Sequence, residues 1–188
     1  KVKYFRGNIA SISDLKKIDK NFNYVVNCGG YVDHKNKKEV NKFQNIGCKN
    51  LVSIFKKRKI DLFLQLGSSS EYGKLNSPHR ESLTCNPKSI YGKAKLSATK
   101  YLIKSFEKKN FPCSILRLYQ VFGEGQATNR IIPFVINACI KNQKFPCSDG
   151  KQSRDFIHVD QVISAIIKTL LSKNSVGEII NIGSGKTI

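Results

Sequence analysis

The sequence predicts an α/β fold, a doubly wound parallel sheet, and three observations carry that reading. Four apolar runs of strand length end in small or polar residues, four stretches between and after them carry apolar residues at spacings of three and four, and the two kinds of segment alternate. Runs that are apolar throughout suit parallel strands buried on both faces. Spacing by three and four lines one side of a helix with apolar side chains. Alternation then requires right-handed crossovers, which lay helices on both faces of one sheet.

In chain order, "NYVVNCGG" (23–30) predicts the first strand and residues 39–58 the helix after it. "IDLFLQLGSSS" (60–70) predicts the second strand and 89–109 a long helix; "CSILRLYQVFG" (113–123) predicts the third strand. Helices are expected over 129–142 and 160–173, and "GEIINIGSG" (177–185) returns as the last strand. Residues 123–156 are richer in Gly, Pro, Asn and Gln and are expected to leave the sheet as a smaller lobe. The chain thus divides into a ligand-binding core, 1–122, and a mixed segment, 123–188, that supplies part of the lobe and the return strand. In such sheets ligands sit beyond the carboxyl ends of the strands, so the residues that follow each strand are the candidates.

At 188 residues and 40% hydrophobic content the chain is long enough for one domain with a sizeable core. No run approaches the ~18 consecutive apolar residues of a membrane span, and no signal peptide opens it, so the expectation is a soluble cytoplasmic protein without a membrane partner. Six cysteines are scattered without a C-x-x-C pair; neither zinc spacing nor a redox motif is present, no metal is expected, and buried reduced thiols are the better reading. A net charge of +20 raises nucleic-acid binding. Against it, 27 of the 33 basic residues are Lys and they spread over nearly every segment, whereas nucleic-acid readers favour Arg forks and clustered aromatics.

Chemistry is suggested by "SIYGKAK" (89–95) just inside a helix start. Tyr91 and Lys95 stand one turn apart on one face. A phenol with an ordinary pKa near ~10 is a poor base at neutral pH, and a nearby ammonium favours its ionised form. With a serine hydroxyl from "GSSSEYG" (67–73) to hold the reacting oxygen, the parts of a proton relay between carbinol and carbonyl are present. Alone, a tyrosine four residues before a lysine is ordinary helix surface in a Lys-rich chain.

The order of several motifs together resembles the extended short-chain dehydrogenase/reductase family, the nucleotide-sugar epimerases, dehydratases and reductases. "VVNCGG" resembles its V-I-H-L-A-A segment, "NIGCKNL" its N-x-x-G-T-x-N-L helix, "GSSSEYG" its S-S-x-x-V-Y-G strand end and "SIYGKAK" its S-x-Y-G-x-S-K helix. "LRLYQVFGEGQ", "DGKQSRDFIHVDQVISAI" and "NIGSG" resemble later family segments. The resemblance implies a Rossmann-like core and NAD or NADP as cofactor. It implies Ser68 as the hydroxyl that orients the reacting oxygen, Tyr91 as acid/base, and Lys95 as a cation that binds the nicotinamide ribose and lowers the tyrosine pKa. Asn8, Cys28, Gly29, Gly30 and Asn45 become cofactor contacts; Ser69, Ser70, Gln120 and Arg154 become contacts to a nucleotide-sugar substrate. For Arg154 a structural ion pair with Asp155 or Asp160 is the equal alternative. Relatives pair as homodimers through the helices that correspond to 39–58 and 89–109.

Two departures qualify the resemblance. No G-x-x-G-x-x-G loop occurs in the chain, and such a loop holds a dinucleotide pyrophosphate; the expectation is that this unit lies upstream, with part of the substrate lobe downstream. Family dehydratases carry an acidic pair after the catalytic hydroxyl, where Ser69 and Ser70 stand here, which leaves an epimerase or a 4-keto-sugar reductase. "GSGKT" (183–187) imitates a P-loop, yet Ile180 stands where that loop needs its first glycine. A non-catalytic basic binding module is the alternative from another class.

Overall fold

The computed structural model describes residues 2–18, 21–31 and 36–188. A short helix α1 (Ile12–Lys16) precedes strand β1 (Tyr24–Asn27); α2 (Lys37–Val40) runs through a π-helical stretch, Asn41–Ile46, into α3 (Gly47–Phe55). Next come β2 (Leu62–Ser68), the 20-residue α4 (Ile90–Lys109), β3 (Cys113–Leu118) and β4 (Gln120–Phe122). The chain continues as α5 (Ile131–Ile140), β5 (Phe156–His158), α6 (Val159–Leu171) and β6 (Ile179–Ile182). Strands β1, β2, β3 and β6 form one sheet in that order, all parallel, with Val26 opposite Leu64, Gln65 opposite Ile115 and Leu116 opposite Ile180. Among the described residues no helix is long and apolar enough to cross a membrane.

The pleat of β2 explains why its sequence is apolar on both faces, Gln65 excepted. Phe63 joins Cys113 and Ile115 of β3 in a cluster closed by Leu51, Val52 and Phe55 of α3 and Ala98 and Leu102 of α4. Leu64 and Leu116 occupy the alternate positions, equally buried, and so face the other side, against which α6 lies. Burial of each such side chain contributes about 1.5–3 kcal/mol before the entropy of ordering is counted. Helix α4 starts where Ser89 accepts the Gly92 N–H, 3.0 Å, and stops at Asn110, whose φ of 48° ends the helical path.

Two elements differ from the sequence reading. The single helix expected over 39–58 is interrupted by the wide turn at 41–46. Gly47 beyond it permits close packing, since a β-carbon there would lie 2.7 Å from Ile9 Cδ1. The strand expected over 113–123 breaks at Tyr119. The N–H of Tyr119 still reaches Ile182 O, 3.0 Å, but that of Gln120 goes to Asp155 O, 3.0 Å, and β4 then pairs with β5 in a separate two-stranded parallel sheet. Both halves are apolar, so the sequence alone carried no mark of the change of partner. Residues 143–155 contain no helix or strand.

Candidate active site

The carboxyl ends of β1 and β2 and the first turns of α4 converge. Ser68 is the last residue of β2 and caps a single 3-10 turn, Ser69–Glu71: its Oγ accepts the Ser70 N–H, 3.2 Å, while Glu71 Oε1 accepts the Ser68 N–H, 3.0 Å. Tyr91, in the first turn of α4, is half-buried and near enough to the Ser68 side chain for a hydrogen bond from that hydroxyl to act on its phenol. Gly92 allows this closeness, because a β-carbon there would stand 2.5 Å from Ser70 O. One turn further, Lys95 is 6% exposed; its Nζ donates to Leu66 O at 2.8 Å and lies 5.7 Å from the Tyr91 ring centre. The three side chains that the sequence singled out are therefore neighbours in space.

Their electrostatics differ from expectation in one respect. Burial pushes the Tyr91 phenol above its ordinary value; the hydrogen bond from Ser68 and the Arg130 charge pull the other way, and Glu71 adds to the rise. Lys95 was expected to lower it, but its ammonium is turned onto the Leu66 carbonyl, and burial outweighs the support of Glu71 and brings Lys95 itself down to about 8.

A stability prediction follows from Lys95. Between about 8 and its ordinary 10.5 the unfolded chain holds the proton and the folded chain does not, so this residue makes stability rise with pH across that window. Below pH 8 the folded state carries the full cost of a buried ammonium, with a ceiling of about 3 kcal/mol. Replacing Lys95 with Met leaves no orphan, because Leu66 O also accepts from Gln65 Nε2 at 2.9 Å. The Met variant is expected to be at least as stable as the parent at pH 7 in urea denaturation, its advantage fading towards pH 10. A variant less stable at pH 7 would contradict this account.

Beside Lys95, the end of β1 is held by side chains. Asn27 Nδ2 donates to Gln65 Oε1, 2.7 Å, and Asn27 Oδ1 accepts the Gly29 N–H, 3.0 Å. Cys28 is exposed at the strand end. Gly30 packs against Gln44 so closely that a β-carbon would be 2.5 Å from its Nε2. Gln44, 4% exposed, presents a buried Oε1 with no hydrogen-bond partner. Asn45 does not share this position. Its carboxamide instead binds Asn41, 3.0 Å, and Ser97 of α4, 3.1 Å, so it ties two helices together. Gln44 is the residue that the sequence reading missed, and the signal was available: it, not Asn45, stands three residues before Gly47 as the N-x-x-G spacing asks. Asn8 is exposed and spends its Oδ1 on the Ala10 N–H, 2.9 Å, in the turn before α1.

The remaining candidates are more dispersed. Ser69 and Ser70 lie in the 3-10 turn beside Ser68. Gln120 is exposed in β4. Arg154 pairs by backbone with Ile188, 2.9 Å both ways, and its exposed guanidinium donates to Ser153 O, 2.9 Å. Neither proposed ion pair of Arg154 forms: Asp155 accepts from the Ser184 and Gly185 N–H groups at 2.8 and 3.0 Å, and Asp160 stands 3.4 Å from His158 Nδ1. The same contacts explain "GSGKT", whose amide nest is filled by the Asp155 carboxylate rather than open to phosphate. Arg130, just before α5, is the charge from this half of the chain that acts on Tyr91; only its position at a helix start was visible in sequence. Among the described residues no group of three or more His, Cys, Asp or Glu could hold a metal ion.

Comparison with known proteins agrees with this fold. The chain is 26% identical to dTDP-D-glucose 4,6-dehydratase from Dictyostelium discoideum over 97% of its own length and 46% of the relative. It is 33% identical to a putative UDP-glucose 4-epimerase from Methanocaldococcus jannaschii over 75% of the chain and 47% of the relative. It thus spans about half the length of these relatives. Among solved structures, UDP-glucuronic acid 4-epimerase from Bacillus cereus in complex with NAD superposes with a TM-score of 0.85 at 27% identity, covering 97% of this chain and 60% of that one. A family description, NAD dependent epimerase/dehydratase, matches residues 1–183. With a parallel sheet, Rossmann-like and flanked by helices, and a match along nearly its whole length, the chain belongs to the NAD dependent epimerase/dehydratase family.

Proposed function

We propose that this chain forms the catalytic part of an NAD(P)-dependent nucleotide-sugar epimerase or 4-keto-sugar reductase. The observation that carries the reading is the half-buried Tyr91 phenol, within hydrogen-bonding influence of Ser68 and with Lys95 Nζ 5.7 Å from its ring centre, at the carboxyl ends of β1 and β2. When bound, a nicotinamide cofactor supplies the hydride acceptor or donor. The chain supplies the proton and the geometry.

Burial keeps Tyr91 in its protonated form, which suits delivery of a proton to a ketone oxygen as hydride arrives at carbon 4. In the reverse direction the ionised Tyr91 oxygen accepts the proton from the carbinol as hydride leaves, so that direction starts from the phenolate, the form that burial disfavours. Ser68 orients the substrate oxygen by a hydrogen bond. Ser69 and Ser70 offer hydroxyls where water elimination needs an added acid and base, which supports epimerase or reductase over dehydratase. Cofactor fit is supported by the orphaned Gln44 Oε1 beside Gly30: Cys28, Gly29 and Gly30 offer backbone, Gln44 a carboxamide and Lys95 a cation. Gln120, Arg130 and Arg154 are the residues proposed for the nucleotide sugar, with Arg suited to phosphate. A cytoplasmic homodimer completes the proposal.

The test is to incubate the complete gene product and NAD(P)(H) with UDP-, GDP-, dTDP- and CDP-linked sugars, both hydroxy and 4-keto forms, and to identify products by mass and chromatography. An epimer of unchanged mass or a product heavier by two hydrogens is expected. Loss of water as the sole reaction, or no reaction with any sugar, would refute the proposal.

A further inference from the structure

Directly behind Ser68 lies a polar network that the proton relay itself does not use. Glu71 is 0% exposed and Arg117, in β3, is 2% exposed. Arg117 Nε donates to Glu71 Oε2 at 3.1 Å. One Arg117 terminal nitrogen donates to the Tyr72 hydroxyl, 2.9 Å, which in turn donates to Asn181 Oδ1 on β6, 2.8 Å. The network thus ties the turn after β2 to the neighbouring strands β3 and β6. Desolvating two charges roughly cancels their attraction, and an apolar pair of similar size is often as stable or more so. Stability is therefore a weak reason for such a pair to be here.

The geometry supplies another reason. The two carboxylate oxygens divide their work: Oε2 faces Arg117, and Oε1 accepts the backbone N–H of Ser68 at 3.0 Å. Gly67 makes room for this arrangement, since a β-carbon there would stand 2.8 Å from Oε1. Ser68 is the hinge between the sheet and the 3-10 turn, held by its own Oγ to Ser70 N–H on one side and by Glu71 on the other. Rotation at this hinge would carry the hydroxyl away from Tyr91. The same carboxylate also acts by charge on Tyr91 and on Lys95.

We propose that Glu71 is a positioning residue for Ser68: anchored to β3 by Arg117, it holds the serine's backbone N–H and so keeps the hydroxyl against Tyr91. This rests on the reading of Ser68 and Tyr91 as the proton relay. The role needs an acceptor at a fixed place, which an apolar replacement removes and an amide restores.

The test uses the complete gene product and two double variants, with kcat, KM for the nucleotide sugar, cofactor affinity and Tm measured for each. Glu71→Leu with Arg117→Leu removes the pair without stranding a charge. It is expected to fold, to bind cofactor and sugar with nearly unchanged KM and affinity, and to lose about 10–100-fold in kcat, the scale on which misplacement near 1 Å acts. Glu71→Gln with Arg117→Gln returns an acceptor and is expected to recover most of that loss. Should the Leu pair fail to fold, Glu71→Asp decides: it keeps the charge for Arg117 but draws the oxygen back from Ser68, and kcat should fall about tenfold or more at unchanged KM. Wild-type kcat in the Leu pair or in the Asp variant overturns the proposal, as does a Gln pair as slow as the Leu pair. Ser68→Ala is the control that separates the two levels. Unchanged kcat there overturns the relay itself, whereas a slow Ser68→Ala beside a fast Leu pair overturns only the role of Glu71.

Discussion

Replacing Tyr91 with Phe is expected to lower the rate of hydride exchange by about 10²–10⁴-fold while leaving the affinity for NAD(P)(H) nearly unchanged. The substitution removes one oxygen and keeps the ring, so the packing of the first turn of α4 against the serine turn, fixed by the near contact of Gly92 with Ser70 O, survives. Lys95 keeps its bond to Leu66 O. What disappears is the group proposed to hold and move the proton, and a serine hydroxyl such as that of Ser68 is a poor acid and base at neutral pH. The measurement is single-turnover absorbance of the reduced nicotinamide in the complete gene product, with cofactor binding followed separately by fluorescence. Normal turnover in the Phe variant would show that the acid/base lies elsewhere. Lost cofactor binding would show that Tyr91 serves the fold rather than the reaction.

The largest effect on stability is expected at Arg117. Replacing it with Met strands the Glu71 carboxylate, which is 0% exposed and has Arg117 as its ion-pair partner at 3.1 Å. Leaving such a charge buried and unpaired costs about 3–5 kcal/mol, a large share of the 5–15 kcal/mol by which domains of ordinary size are stable. Tyr72 loses its donor as well, although its hydroxyl keeps Asn181. Urea denaturation at pH 7 should show the loss as a lower midpoint. Adding Glu71→Leu to the same variant should recover most of it, since the stranded charge is then gone. A single variant within about 1 kcal/mol of the parent would mean that water or another cation reaches Glu71, and the clamp on Ser68 would have to be reconsidered.

These two residues illustrate what could be read beforehand. Tyr91 and Lys95 were legible because the helical repeat puts residues four apart on one face, and "SIYGKAK" begins at a serine that caps the helix. Glu71 and Arg117 were not: 46 positions separate them, and each looks like surface charge in a chain with 33 basic residues. "GSGKT" misleads for a related reason. Its glycines describe a backbone that can cradle an anion, but that the anion is Asp155, 29 and 30 positions away, is a matter of how β5 and β6 are brought together.

The sequence by itself determined the order and kind of the main elements, the parallel sheet, and the placing of Tyr91 and Lys95 one turn apart on a single helix face, because periodicity and capping act within one element and its immediate neighbours. Tertiary structure alone decided that Tyr119 ends one sheet and Gln120 enters another, that the Asp155 carboxylate fills the amides of "GSGKT", and that the Tyr91 phenol is raised rather than lowered. The physical reason is common to all three. Desolvation and long-range pairing depend on which surfaces fold over a residue, and a distant segment supplies those surfaces.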